Sequence, residues 1–541
     1  MERRAYDPAV RLRSVAREHP LALLVAGVGA LNVVVLVAQL RGLVHSLYSS
    51  ADSAIALVLA DGLGTHGAHA PLITLGNYHY YETWWLERAT RTLPDHWQIW
   101  EALPFAIAFL AIVAIGWAAC RALGRQAGML TVLLMVALGD EMRQIMFTPA
   151  IHGYFVVHAA LLAAALVFVG DRADRGQVSW RLLATVGVPL VGLSAVGATD
   201  LLIEFVALPS FVLAGCLGWW LHPGSVQRRI AIFSVVVGVA SVLGAAALNS
   251  VMAAHNVVAG HFVISFVGTG SVLSNLQVTV TALTYLGGSL FWGAPVGVSA
   301  FLVFAVGGLS LIGVASLLRL IWRHASTLGT RGSSRPLARD MYLSFWMLVV
   351  VLSLGAFVFT TLPVDETNAR YLSGVYVGAA ALLPGLAGVL PAQRARLAAA
   401  FTVFAALIAI NHLVEGTPPI GVGPPANATY QVLRFARAQG AERGYAPYWD
   451  AAVMTWQTHA ELETFPVSPC GADLCRFPFN QSTSWYDAQP GVRTFLVTDS
   501  RAIPDSIPSA PPSLGKPVST ATVGYLTVYI YSHDIAADLS P

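Results

Sequence analysis

The feature that most constrains this chain is a series of eleven apolar stretches, each near the length that a helix needs to cross a bilayer. Charged residues make up 11% of the 541 residues, against about 25% in soluble domains, and they gather between the stretches. This pattern predicts a polytopic α-helical membrane protein of about eleven spans with the lipid bilayer as its solvent. The stretches are 20–44, 99–119, 126–139, 153–170, 182–199, 201–221, 230–248, 296–318, 342–362, 371–391 and 397–413. The apolar region 250–295 leaves room for a further re-entrant or tilted segment.

The arginines predict how the chain is oriented. With the N-terminus in the cytoplasm, the cytoplasmic segments contain nineteen arginines, whereas the opposite loops contain five: Arg41, Arg88, Arg91, Arg143 and Arg370. Because positive charge stays on the cytoplasmic side, we expect a cytoplasmic N-terminus, an uncleaved first helix and an extracytoplasmic tail. A single lysine, Lys516, beside thirty arginines is typical of a GC-rich bacterial genome, which indicates an actinobacterial plasma membrane.

The composition changes near residue 414. We expect a transmembrane domain over 1–413 with a large first outer loop at 45–98, a Pro/Gly-rich linker over 414–426, and a small extracytoplasmic α/β domain over 427–541. The runs 494–499 and 525–531 have the β-branched and aromatic content of strands.

Two cysteines of the tail, Cys470 and Cys475, favour a disulfide outside the cytoplasm. A zinc site is the alternative, but only His459 offers a further ligand nearby. The aromatic side chains of the tail suit either a sugar-binding surface or a packed core with contacts to the membrane domain; they are Tyr445, Tyr448, Trp449, Trp456, Trp485 and Tyr486.

The sequence disfavours functions that use a cytoplasmic nucleotide or bind nucleic acid. The cytoplasmic loops are short and basic, and the sequence has no phosphate-cradling Gly-Lys-Ser/Thr motif. A net charge of +2 gives no indication of nucleic-acid binding. Chemistry is therefore expected outside the cytoplasm, without ATP.

Charged residues at the outer ends of the spans are the candidates for function, since an ionisable group at a membrane boundary has to be explained. The first is Asp52, which follows the first span and suits either a functional role or an N-terminal cap of a surface helix. A second group is Asp140, Glu141 and Arg143, for which a rim salt bridge is the simpler alternative.

A third group precedes the tenth stretch. Arg370 and Tyr371 follow Asp365 and Glu366, so the arginine either pairs with these acids or binds an anion such as phosphate. Asp200 is a weaker fourth candidate.

The first outer loop contains histidines without a recognised metal spacing. These are His66, His69, His79 and His96, and we expect no metal there. The aromatic run 77–85 predicts an interfacial helix anchored by tryptophans, or else a carbohydrate-stacking face.

Taken in order, these features resemble the C-type (GT-C) glycosyltransferase superfamily, whose members include protein O-mannosyltransferases and mycobacterial arabinofuranosyltransferases. The resemblance rests on Asp52 in the first outer loop, the Asp140-Glu141 pair in the second, Arg370-Tyr371 opening a late span, and a soluble C-terminal domain. Members often have paired acids at the first site, whereas here Asp52 lies between Ala51 and Ser53.

The resemblance implies transfer of a sugar from a polyprenyl-phosphate donor to a glycan, lipid or protein acceptor, with inversion. It implies that Asp52 is the catalytic base and that Arg143, Arg370 and Tyr371 bind the donor phosphate. Asp140 and Glu141 would orient the acceptor or hold a divalent cation.

Two other functions stay open, a transporter or flippase of lipid-linked precursors and a non-catalytic envelope protein of the same fold. Transporters bury ionisable groups near the midplane, often in repeated halves, whereas here the acids gather at the rim and no repeat is evident. In an enzyme, Asp52, Asp140 or Glu141, and Arg370 should converge on one cavity.

Overall fold

Nine helices of the computed structural model are long and apolar enough to cross a bilayer, within the residues that it describes. Those residues are 20–48, 50–61, 71–75, 89–148, 152–259, 264–288, 297–328, 332–363, 366–385, 393–415, 422–441, 443–503 and 505–540. The predicted class, a polytopic helical membrane protein, is therefore confirmed.

The membrane domain is almost entirely helical. In chain order its helices are α1 (Pro20–Ala38), α2 (Leu40–Leu47), α3 (Ala51–Asp61), α4 (His96–Leu123), α5 (Arg125–Val136), α6 (Asp140–Phe147), α7 (Gly153–Asp174), α8 (Trp180–Gly197), α9 (Leu208–Leu221), α10 (Ser225–Ala254), α11 (Thr269–Leu286), α12 (Val298–Leu328), α13 (Leu337–Phe359), α14 (Ser373–Leu382) and α15 (Arg394–Glu415). A π-helical turn, Ile203–Ala207, continues into α9, and a 3-10 segment, Glu366–Leu372, precedes α14. The nine candidate spans are α1, α4, α7, α8, α9 with its π turn, α10, α12, α13 and α15.

Two of the eleven predicted spans are shorter in the structure. The stretch 126–139 forms α5, which has twelve residues, and 371–391 begins with the ten-residue α14. The region 250–295, where a re-entrant or tilted segment was left open, contains the 18-residue helix α11. This helix brings Tyr285 to the candidate site described below.

Small residues and polar side chains hold the helices together, as expected where lipid removes the hydrophobic drive for association. Gly124, at a left-handed φ of 99°, separates α4 from α5. A Cβ at Gly128 would lie 2.8 Å from the carbonyl oxygen of Gly116, so these two helices approach too closely for a larger side chain. Asn32 of α1 donates to the carbonyl of Ala405 in α15 at 3.1 Å.

The C-terminal domain is an α/β domain around a six-stranded sheet. The strands of the described chain, in order, are β1 (Ile73–Leu75), β2 (Val257–Ala259), β3 (Arg443–Pro447), β4 (Glu463–Cys470), β5 (Asp473–Arg476), β6 (Gln481–Ser482), β7 (Thr494–Asp499), β8 (Ser519–Val523) and β9 (Leu526–Tyr531). The large sheet has the order β5-β4-β3-β7-β9-β8, with β3 parallel to β4 and β7 and the other pairs antiparallel. Helices α16 (Ala426–Ala438) and α17 (Tyr448–Gln457) complete it.

The predicted disulfide is present at the edge of this sheet. Cys470 and Cys475 are bonded across the β4–β5 hairpin, with their Cα atoms 5.7 Å apart. His459 is not part of this site, because its ring stacks on Trp97 at a centroid distance of 5.7 Å.

A second, three-stranded sheet joins the two domains. Strand β1, from the first large loop, pairs with β2 on one side and with β6 of the C-terminal domain on the other. Helix α17 packs on α3, and the rings of Tyr48 and Trp456 meet at 4.4 Å. The C-terminal domain is therefore seated directly on the segment that carries Asp52.

Candidate functional site

Two acids open a short helix at the end of the bundle that carries the C-terminal domain. Asp140 and Glu141 lie in the first turn of α6, where the helix N-terminus favours negative charge. The preceding Gly139 packs against the end of α11: a Cβ there would lie 2.8 Å from the amide nitrogen of Gly288. The sequence folds this way locally because only glycine permits so close a backbone approach.

Each acid has its own partners. A carboxylate oxygen of Asp140 lies 3.2 Å from Nδ1 of His412, whose Nε2 is 2.8 Å from the carbonyl oxygen of Leu138. Glu141 accepts a hydrogen bond from Tyr285. Burial raises the pKa of Glu141 to about 7, while the Tyr285 hydrogen bond and the Arg370 charge act in the opposite direction.

Arg143, one turn further along α6, is a buried cation with spare donors. Its side chain is 1% exposed, and Nη1 donates to Oε1 of Gln39 at 3.2 Å. Nε and Nη2 have no hydrogen-bond partner among the described residues. Burial lowers the pKa of Arg143 to about 10, although the nearby Asp140 and Tyr376 act to raise it. A buried arginine with free N–H groups is suited to receive an anion.

Arg370 and Tyr371 lie in the 3-10 segment before α14. The Arg370 guanidinium is 5.5 Å from the centre of the Tyr371 ring, which in turn lies 5.0 Å from the ring of His152. His152 pairs with the buried Asp200 at 2.8 Å. Asp200 therefore lies next to the group formed by Arg370 and Tyr371. Asp365 and the side chain of Glu366, the alternative partners of Arg370, lie outside the described residues.

The structure thus brings together four of the predicted site residues. Glu141 interacts electrostatically with Asp140 and Arg370, and Asp140 interacts with Arg143. These four residues are called the acid–arginine cluster below. Tyr371 lies at its edge, against Arg370.

An apolar cavity of about 170 Å³ adjoins the cluster. Side chains of α5, α11, α12, α14 and α15 line it, among them Leu134, Leu286 and Phe401. Tyr376 also lines it, donates to the carbonyl of Ala137 at 2.8 Å, and lies beside Arg143. Arg143 therefore lies beside one of the side chains that line this apolar cavity.

Asp52 contacts the C-terminal domain. It lies half-buried in the first turn of α3, and its Oδ1 accepts a hydrogen bond from Tyr448 of the C-terminal domain at 2.7 Å. Within the described part of the chain, no hydrogen bond or ion pair joins Asp52 to the acid–arginine cluster. The structure therefore groups Asp140, Glu141 and Arg370, and it places Asp52, which was expected to converge with them, at the junction with the C-terminal domain.

Sequence reasoning missed four residues of these two sites: Gln39, Tyr285, His412 and Tyr448. Gln39 and His412 could have been identified from the sequence, because a polar side chain at the end of an apolar span needs a partner. They are 373 residues apart, and Gln39 donates to the carbonyl of His412 at 2.7 Å.

The aromatic residues of the tail pack inside the protein. Tyr445, Tyr448, Trp456, Trp485 and Tyr486 are each buried, and Trp449 is half-buried. Of the two alternatives for these residues, the structure has the packed core with contacts to the membrane domain. The run 77–85 and the residues His66, His69 and His79 lie outside the described residues.

The described acids do not form a metal site among themselves. In the described parts of the chain, no three His, Cys, Asp or Glu side chains form a group that could hold a metal ion. Asp140 lies beside His412, and Glu141 accepts a hydrogen bond from Tyr285 and interacts with Arg370.

No protein-family model and no curated protein matches the sequence. The chain is similar to the solved structure of ArnT from Cupriavidus metallidurans bound to undecaprenyl phosphate, at 13% identity and a TM-score of 0.46, over 96% of this chain and 98% of that one. It is also similar to the Archaeoglobus fulgidus oligosaccharyltransferase in complex with Zn and sulfate, at 12% identity and a TM-score of 0.45.

In the second comparison 82% of this chain is covered, and the chain spans 62% of the oligosaccharyltransferase's length. Both proteins are GT-C glycosyltransferases, the superfamily that the sequence resembles. At 12% and 13% identity, however, what this chain acts on has to be argued from its own residues.

Proposed function

We propose that this protein is an integral membrane glycosyltransferase that moves a sugar from a polyprenyl-phosphate donor to an acceptor of the cell envelope, on the extracytoplasmic face. The observation that carries the proposal is Arg143. It is buried, its Nε and Nη2 have no hydrogen-bond partner among the described residues, and it lies beside Tyr376, which lines the apolar cavity. A polyprenyl phosphate has the matching chemistry, an anionic head on an apolar chain.

In the proposed reaction an acceptor hydroxyl oxygen attacks the anomeric carbon as the bond from that carbon to the phosphate oxygen breaks. Asp52 takes the hydroxyl proton, and the lipid phosphate leaves with the bonding electron pair. Arg143 and Arg370 would stabilise the charge that develops on this phosphate through charge-assisted hydrogen bonds. Attack opposite the leaving group inverts the anomeric centre.

The lipid chain of the donor would lie in the cavity between α11, α12, α14 and α15. Asp140 and Glu141 would orient the acceptor, and their positions are supported by His412 and Tyr285. No step of this proposal uses a metal ion. ArnT was solved with undecaprenyl phosphate and the archaeal oligosaccharyltransferase with a dolichol-phosphate, ligands of the class proposed here.

The test is to delete the gene and compare lipid-linked sugars and envelope glycans with those of the parent strain. We expect donor to accumulate and one glycan to be truncated, which would identify both substrates. Complementation by the full chain should restore the glycan, and Asp52→Asn should not. Asp61→Asn is the matched control, because Asp61 ends the same helix and pairs with His96 at 3.0 Å.

A membrane assay then separates transfer from transport. A glycosyltransferase releases free polyprenyl phosphate from the donor in proportion to the glycan formed. A flippase moves the intact donor between leaflets without releasing it, and that result would overturn the proposal. Full restoration of the glycan by Asp52→Asn would show that another group is the base.

A further inference from the structure

The C-terminal domain contributes a hydrogen bond to the proposed base. Tyr448, the first residue of α17, donates from its hydroxyl to Oδ1 of Asp52 at 2.7 Å. Nothing in the sequence brings the two together, since 396 residues separate them. The contact leaves Oδ2 of Asp52 for another donor.

The direction of this hydrogen bond is set by a second residue of the same domain. Asn480 Nδ2 donates to the Tyr448 hydroxyl oxygen at 3.1 Å. A phenol has one proton to donate, and a carboxylate can only accept. With its oxygen accepting from Asn480, Tyr448 directs that proton at Asp52.

Asn480 is itself held by the sheet that joins the domains. It directly precedes β6, whose Gln481 and Ser482 pair with Thr74 and Ile73 of β1. Thr483 extends this ladder: its amide donates to the carbonyl of Leu72 at 2.9 Å. Asn480 has a left-handed φ of 51°, a conformation that asparagine tolerates better than most residues.

The tyrosine ring is fixed as firmly as its hydroxyl. Tyr448 is 3% exposed, and its ring stacks on Phe477 at a centroid distance of 4.4 Å and an interplanar angle of 9°. Because both the ring and the hydroxyl are fixed, the Asp52 carboxylate is held in one orientation.

We infer that Tyr448 and Asn480 are positioning residues for the base, so that the reaction centre is completed only when the C-terminal domain is seated on the bundle. This inference rests on the proposed function. The pair orients one oxygen of Asp52 and leaves the other to meet the acceptor hydroxyl. Neither residue touches the reacting atoms.

The experiment measures transfer by the full-length protein with the donor and acceptor identified from the deletion strain. Tyr448→Phe keeps the ring and its stacking but removes the donor. We expect kcat to fall about 10-fold to 100-fold, the usual effect of one hydrogen bond to a charged group, with KM for donor and acceptor unchanged. Asn480→Ala should lower kcat less, because the Tyr448 hydroxyl keeps its proton and loses only the hydrogen bond that orients it.

Two controls separate positioning from loss of structure. Tyr531→Phe removes a hydroxyl from a buried tyrosine of the same domain whose oxygen has no hydrogen-bond partner in the described residues, and it should leave kcat unchanged. Placing 4-aminophenylalanine at position 448 restores an N–H donor and should recover most of the lost kcat.

Failure of this inference is distinguishable from failure of the proposed function. If Asp52→Asn abolishes transfer while Tyr448→Phe has wild-type kcat, the positioning role is wrong and the base assignment stands. If Asp52→Asn transfers normally, the base assignment is wrong, whatever Tyr448→Phe does. A rise in KM alone would place Tyr448 in substrate binding and would also overturn the inference.

Discussion

Two arginines of this protein lie among carboxylates, yet their surroundings differ. In the membrane domain Arg143 is 1% exposed, and within the described residues it donates one hydrogen bond, to Gln39. In the C-terminal domain Arg501 donates to Asp499 from Nε at 2.9 Å and to Asp450 from Nη2 at 3.1 Å. Its guanidinium also lies 3.9 Å from the centre of the Tyr525 ring.

The carboxylates around Arg501 belong to the same domain and are paired with it. Asp450 and Asp499 follow or end the adjacent parallel strands β3 and β7, and both are 0% exposed. Burial and the neighbouring Asp499 raise the pKa of Asp450 well above its usual value, although Arg501 acts to lower it. This cluster is internally neutralised, whereas the donors of Arg143 are partly free. We therefore expect Arg501 to stabilise the domain, whereas the proposed function assigns Arg143 to phosphate binding.

The largest expected effect is on the stability of the C-terminal domain. Arg501→Met leaves two buried carboxylates uncompensated, which should destabilise the domain by about 3–5 kcal/mol. Hydrogen exchange of the β7 amides in the full chain measures this loss. Arg493→Met is the matched control, because Arg493 donates to an exposed backbone carbonyl, that of Gln439. Equal protection in both variants would contradict the structural role.

Arg143→Gln, unlike Arg501→Met, should lower activity and not stability. We expect transfer to fall by about 100-fold to 1000-fold, as when a preorganised donor to a developing anion is removed. Thermal stability should not fall, because the change removes a buried charge with unpaired N–H groups. Arg121→Gln, which alters a half-exposed pair with Asp171, serves as the control for both measurements. A large loss of stability with full activity would make Arg143 structural.

The smallest expected effect concerns the proton that Asp450 binds beside Asp499. Asp450 has a raised pKa in the folded state, so the folded protein binds a proton more tightly than the unfolded chain and loses stability as pH rises above the ordinary aspartate range. Asp450→Asn keeps an acceptor for Arg501 and adds a donor for Asp499. It should stabilise the domain at pH 7 by on the order of 1 kcal/mol, given that one pKa unit corresponds to about 1.4 kcal/mol.

The check is unfolding of the domain in the full chain at several pH values. The stabilisation by Asp450→Asn should shrink as pH falls towards 4 and the native aspartate becomes protonated in the unfolded chain as well. A pH-independent effect would mean that the pKa of Asp450 is the same in the folded protein and in the unfolded chain, and it would contradict the raised value.

Part of the candidate site was predictable from the sequence. Asp140, Glu141 and Arg370 stand out because charge is scarce in this chain, and an ionisable group at the end of an apolar stretch is costly unless it is used. The partners that determine what each charge does were not predictable: His412 beside Asp140, Tyr285 on Glu141 and Tyr448 on Asp52 come from remote segments. The role of the aromatic residues in the tail was also not predictable, since the same residue types occur in a buried core and on a sugar-binding surface.

The sequence by itself determined the membrane class, most of the spans, the strands β7 and β9 and the Cys470–Cys475 disulfide, because apolar length, β-branched content and cysteine spacing act over a few residues to a few turns. Only the tertiary structure decided which charges are paired and which are left with free donors. That outcome depends on the desolvation of each group and on the atoms within a few ångströms of it, and residues hundreds of positions away supply those atoms.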